Sequence, residues 1–112
     1  VLQRDAFGTD PLKLEGEAFA AFVRYNVLAA QVELAEFLQE IPWKPWKDDQ
    51  GRPDSVARAL AVEELVDVLH FLANLFLALR VTGEEVEEVY AHKRSVNAKR
   101  QEARKTPHQV IA

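Results

Sequence analysis

At 112 residues, 48% of them hydrophobic and with a formal net charge of −4, the chain suits one compact domain over 1–112, or one protomer whose core is completed between chains. The absence of cysteine and methionine excludes disulfides, thiolate metal sites and a cysteine nucleophile, and it fits a cytoplasmic location. Mild acidity argues against a dedicated nucleic-acid partner. The longest uncharged apolar run, Val68 to Leu79, is too short to span a bilayer, so no membrane partner is expected either. There is no secretory signal, and the missing initiator Met points to a processed or unseen N-terminus.

Val1 to Leu14 is short and mixed, with a possible helix fragment at Leu2 to Phe7 and a turn at Gly8-Thr9-Asp10-Pro11. After it, Phe19, Phe22, Val23, Val27, Ala30, Leu34, Phe37, Leu38 and Ile41 recur at three- and four-residue steps, which predicts a first long helix over 15–41. Asn26, Glu33, Glu36 and Glu40 make a polar stripe on another side. Pro42 and Pro45 force Trp43-Lys44-Pro45-Trp46-Lys47 out of helical geometry, and Asp48 to Pro53 reads as an exposed loop.

Asp54 or Ser55 can cap a central helix over 54–81. From Glu63 to Leu79 this helix is apolar on nearly every side, which marks it as the segment that others pack around. Glu63, Asp67, His70 and Asn74 form one narrow polar stripe on it, and Glu64 joins Asp67 at i+3. Thr82-Gly83-Glu84-Glu85 is a capping-box pattern opening a last helix over 83–102, and the short joint favours an antiparallel hairpin. Beyond Glu102 periodicity is lost and an extended or mobile tail is expected. The fold class is all-α, an antiparallel helical bundle completed by oligomerisation, as a homodimer or a dimer of dimers.

Two helices thus present carboxylates three residues apart, Glu33 with Glu36 and Glu64 with Asp67. Such spacing puts both side chains on one face, about 5–6 Å apart at Cβ, so two opposed faces can surround a hard cation with oxygen. Mg²⁺ or Mn²⁺ suits that donor set better than zinc, since only one histidine is near. An E-x-x-E on a helix is usually a solvated face; the second pair shifts the balance, because Asp67 lies in a helix too apolar to be wet elsewhere. Glu63 fits the ligand geometry in place of Glu64, and otherwise is a surface charge.

On the last helix Lys93, Asn97 and Arg100 share a face able to hold phosphate oxygens, or else form a basic helix end that complements the macrodipole. His70 reads either as a hydrogen-bonded core histidine or as a functional group one turn from Asp67, with Phe71 able to pack on a sugar or base. Trp43 and Trp46 suit a lid or base platform and equally a staple at the helix end.

In order, Glu33-x-x-Glu36, Ile41-Pro42-Trp43-Lys44-Pro45-Trp46-Lys47, Glu64-x-x-Asp67-x-x-His70-Phe71 and Lys93-x-x-x-Asn97-x-x-Arg100-Gln101 resemble the motifs of the dimeric all-α dUTPases, relatives of the MazG-like nucleoside triphosphate pyrophosphatases. The resemblance spans Asn26 to Gln101. It implies hydrolysis of dUTP to dUMP and pyrophosphate, with Mg²⁺ held by Glu33, Glu36, Glu64 and Asp67, and with Glu33 or Glu36 orienting or deprotonating the attacking water. It further implies uracil contact by His70, packing of Phe71 on deoxyribose, and sugar and phosphate binding by Lys93, Asn97 and Arg100. Asn74, Trp43, Trp46 and Lys47 join the substrate-binding set. Of the family's N-terminal base-reading pair, Gln3 is the counterpart of the glutamine, and Phe7 stands where asparagine is expected. Two other readings compete: a MazG-like activity on other or several nucleotides, and a non-catalytic helical oligomerisation module.

Overall fold

The computed structural model describes the backbone of residues 10–111 and the side chains of residues 10–104. Three helices, α1 (Gly16–Gln39), α2 (Ser55–Ala78) and α3 (Gly83–Ile111), follow a 3-10 turn at Pro11–Lys13. There is no strand among the described residues, so the chain is all-α, as its periodicity predicts. No single described helix is long and apolar enough to cross a membrane. The chain divides into two compact units, Val1–Arg80 and Val81–Ala112.

In the first unit, Asp10 accepts a hydrogen bond from the Leu12 amide at 3.1 Å and so caps the 3-10 turn. Pro11, at the first position of that turn, is buried. The chain then enters α1 through Gly16 at φ +53°, a left-handed conformation that costs a side-chain-bearing residue about 1–2 kcal/mol. Ahead of Pro42, the α1 ladder tightens into three-residue bonds, with the Glu40 amide on the Phe37 carbonyl at 3.0 Å and the Ile41 amide on the Leu38 carbonyl at 3.1 Å.

Asp54 starts α2, its carboxylate accepting from the Ala57 amide at 2.9 Å. The helix runs back antiparallel to α1, as the side-chain pairings below establish. Between the two lies a narrow core of Phe22, Ala30, Ala61, Val68 and Ala78 with two buried amides, Asn26 and Asn74. Alanines at these positions let the helix axes approach closely. Within the first unit, α1 covers one stripe of α2. Val56, Leu60, Leu65, Leu69, Leu72 and Phe76 remain 40–70% exposed, because a single helix can cover only one stripe of an all-round apolar neighbour.

At the end of α2, Arg80 adopts φ 59°, outside the region a non-glycine residue prefers. Its Nε donates to the Leu12 carbonyl at 2.9 Å, and its guanidinium pairs with Glu15 at 3.2 Å. Arg80 thereby ties the 3-10 turn to the α2 terminus.

In the second unit the capping box is present as the sequence predicts. The Glu85 amide donates to Thr82 Oγ1 at 3.1 Å, and the Thr82 amide donates to Glu85 Oε1 at 3.3 Å. The last helix corrects one expectation: it continues past Glu102 to Ile111. Loss of an apolar period does not end a helix, and Gln101, Glu102, Ala103, Arg104 and Lys105 are favourable helix formers, whereas continuation through Pro107 runs against propensity.

Candidate functional site

The residues that bring α1 and α2 into register are polar. Asn26 Nδ2 donates to the Phe22 carbonyl one turn back, at 2.8 Å, and Asn74 Nδ2 donates across to Asn26 Oδ1 at 3.0 Å. Seven residues further along α1 stands Glu33, and seven residues earlier along α2 stands Asp67. Seven residues is close to two full helical turns, so each acid lies on the same face as its asparagine. In an antiparallel pair, the Asn26–Asn74 contact therefore dictates that Glu33 meets Asp67.

The carboxylates do meet there. Glu33, Glu64 and Asp67 each bring an oxygen within 4.8 Å of the others. Glu36 reaches Glu64 closely enough to hydrogen-bond with it. Glu33 and Glu64 are half-buried, whereas Glu36 and Asp67 are exposed, so the cluster opens to solvent on one side. Glu63 is exposed and stands outside the cluster, so of the two glutamates that spacing left open it is Glu64 that lies beside Glu33 and Asp67.

Crowding has an electrostatic consequence. Hydrogen bonding to Glu33 raises the Glu64 pKa above the ordinary glutamate value, and burial and repulsion from Glu33 and Asp67 act in the same direction; the contact with Glu36 opposes them. Glu33 Oε2 is itself buried and has no hydrogen-bond partner. A buried carboxylate oxygen without a donor is costly. All-oxygen donors from carboxylates on two facing helices fit a hard divalent cation, whose charge would also offset the cost of the donor-less Glu33 oxygen.

His70 is exposed one turn beyond Asp67, so the alternative of a core histidine is set aside. Phe71 is half-buried and meets Tyr25 of α1 edge to face, with ring centroids 6.5 Å apart. Asn74 is only 2% exposed and engages Asn26, so it faces the interhelical core. Sequence spacing placed it on a stripe with Asp67 correctly, but could not tell that the stripe turns inward at that end. Asn26 was visible as part of the α1 stripe without a partner to explain it.

The connection from α1 to α2 forms a cleft of about 400 Å³ lined by Leu38, Glu40, Ile41, Trp43, Lys44 and Lys47, among others. None of the four clustered carboxylates lines it. Trp43 and Trp46 pack edge to face at 5.7 Å, and Trp46 is 70% exposed. Gln50 shapes this loop by donating to the carbonyls of Lys44 and Lys47, at 3.0 and 2.8 Å. In the second unit Lys93, Asn97 and Arg100 are exposed at one-face spacing on α3, and Arg94 lies 6.0 Å from the Tyr90 ring centre. Gln3 falls outside the described residues, as does the expected Leu2 to Phe7 fragment.

Residues 9–83, which contain the whole carboxylate cluster, match the family model described as dUTPase. The chain belongs to the all-α dUTPase family. Among curated proteins it is 34% identical over 68 residues to the dCTP pyrophosphatase of Enterobacteria phage T4. That alignment covers 54% of this chain and 40% of the phage protein, so the chain spans well under half the length of this relative. No solved structure matches. The family match takes in α1, the tryptophan loop and α2, and it ends where α3 begins, so Lys93, Asn97 and Arg100 lie beyond it.

Proposed function

We propose that the chain hydrolyses dUTP to dUMP and pyrophosphate with Mg²⁺, clearing dUTP from the cytoplasmic nucleotide pool. One observation carries the reading: in a member of the dUTPase family, Glu33, whose Oε2 is buried without a hydrogen-bond partner, belongs to a cluster of carboxylates from two facing helices. A divalent cation, when bound, neutralises the triphosphate and the charge that develops as the bond between its α and β phosphates breaks.

Glu33, Glu36, Glu64 and Asp67 hold the cation, with Mn²⁺ able to substitute. Glu33 or Glu36 orients the attacking water and takes its proton. His70 contacts the base, and Phe71, its ring braced edge-on by Tyr25, packs on deoxyribose and disfavours a 2′-hydroxyl. For Lys93, Asn97 and Arg100 the proposed role is sugar and phosphate binding, which their side-chain chemistry suits. Trp43, Trp46 and Lys47 serve as a cover for the bound nucleotide. The open apolar surface of α2 supports self-association into a homodimer or a dimer of dimers.

A second reading, pyrophosphohydrolysis of another pyrimidine triphosphate, is favoured by the similarity to the phage dCTP pyrophosphatase. A panel of deoxy- and ribonucleoside triphosphates incubated with purified protein and Mg²⁺ separates the two. Formation of dUMP and pyrophosphate dominantly from dUTP is expected; dominant turnover of dCTP or of a purine nucleotide replaces the substrate. Absence of turnover of any nucleotide, with the fold intact, leaves a non-catalytic helical oligomerisation module.

A further inference from the structure

We propose that the Asn26–Asn74 hydrogen bond is a positioning device that fixes the sliding register of α1 against α2, and that this register assembles the four carboxylates. The inference rests on the metal reading above only for its second readout. Apart from these two amides, the buried residues of the two helices are Phe22, Ala30, Ala61, Val68 and Ala78, and half-buried Phe71 meets Tyr25 edge to face beside them. Apolar and aromatic contacts of this kind can re-form a turn away at modest cost, whereas a buried hydrogen bond cannot be given up so cheaply.

The two amides do give one. Asn26 Nδ2 is committed to the Phe22 carbonyl of its own helix, so Asn26 turns its Oδ1, an acceptor, toward α2. A donor must stand opposite, and Asn74 Nδ2 supplies it at 3.0 Å. Asn26 is 0% exposed and Asn74 2%, so water cannot replace this partner. Sliding either helix by a turn, about 5.4 Å, would break a buried hydrogen bond and bury its donor and acceptor against hydrocarbon.

The same slide would carry Glu33 and Glu36 one turn away from Glu64 and Asp67, since all six residues lie along one seam. A buried polar pair of this kind trades stability for uniqueness. Replacing both members with apolar groups removes both desolvation penalties and lets the helices stay paired while losing the preferred offset.

The test replaces the pair together, as Asn26→Leu with Asn74→Ala, which roughly conserves volume. Because the chain lacks cysteine, nitroxide labels at Gln31→Cys and Arg58→Cys, both exposed, report the offset by pulsed dipolar spectroscopy, with labelled chain diluted into unlabelled. The parent is expected to give one narrow distance distribution. The double variant is expected to give a broadened or bimodal distribution displaced by about one turn, with thermal midpoint equal to or above the parent. Its Mn²⁺ affinity by electron paramagnetic resonance is expected to fall ~10–100-fold, the usual effect of losing a group that orients metal ligands.

An unchanged distance distribution in the double variant overturns the proposal whatever the metal does. A parent that binds no Mn²⁺ sinks the metal reading, while a displaced distribution in the variant still supports the register device. If the double variant does not fold, Asn26→Ala with Asn74→Ala carries the same measurements.

Discussion

Glu33 and Glu64, on facing helices, bring carboxylate oxygens within 4.8 Å of each other, and hydrogen bonding between them lifts the Glu64 pKa. In metal-free protein the folded state therefore holds the Glu64 proton more tightly than the unfolded chain does. Its contribution to stability is complete below the ordinary glutamate range and is lost as pH rises through the lifted value. The thermal midpoint of metal-free protein is expected to decline across that window. Saturating Mg²⁺ or Mn²⁺ should reverse the trend, because a ligand that binds only the folded state adds stability by mass action. Glu64→Gln should flatten the pH dependence, and an equal slope in parent and variant would assign the effect to other groups.

Removing one acid from the cluster separates folding from function. Glu33→Gln and Asp67→Asn each relieve like-charge crowding, so the metal-free variants should melt at or above the parent temperature. Turnover should drop at least ~100-fold, since a metal site supplies several kcal/mol of charge stabilisation that a depleted ligand set does not. A variant that retains parental turnover would remove that residue from the ligand set.

Arg80 offers a comparison between backbone strain and a side-chain tether. Its ion pair with Glu15 joins two exposed groups and adds little, so the bond from Nε to the Leu12 carbonyl is the main side-chain contribution. Arg80→Ala loses that bond while keeping the left-handed backbone, and should cost about 1 kcal/mol. Arg80→Gly loses the same bond and regains about 1–2 kcal/mol of backbone strain, so it should match or exceed the parent. Urea denaturation of the three proteins checks the order, glycine above alanine.

The cap at the start of α2 should behave locally. Asp54→Ala removes the acceptor for the Ala57 amide and should destabilise by about 1 kcal/mol, whereas Asp54→Ser should recover most of it. Metal affinity should be unchanged in both, measurable by Mn²⁺ titration, because Asp54 lies nearly three turns from Glu64 along α2.

What the sequence disclosed depended on whether its cause was local. Asp54, and the reciprocal pair Thr82 and Glu85, act within three residues of chain, so their patterns could be read directly. The carboxylate spacing was legible for the same reason, since i, i+3 fixes a helix face before any tertiary contact forms. Choosing Glu64 over Glu63 from spacing alone, rather than from the family resemblance, and recognising Asn74 as the partner of Asn26, required the axial offset between helices. That offset is set across 48 residues of chain, and no short pattern encodes it. The extension of α3 to Ile111 is not legible because periodicity reports only a buried face and Pro107 argues for a stop; helix formers from Gln101 to Lys105 account for its first part alone.

The seam of asparagine and carboxylate positions also constrains how such a chain can change length. One residue inserted between Asn26 and Glu33, or between Asp67 and Asn74, would rotate everything beyond it by about 100° about the helix axis and swing an acid off the seam. The connection from Glu40 to Asp54 carries no such phase, so lengthening or trimming it leaves the carboxylates aligned. Natural and engineered variation in length should accordingly accumulate in that crossover and be purged from the two seven-residue intervals.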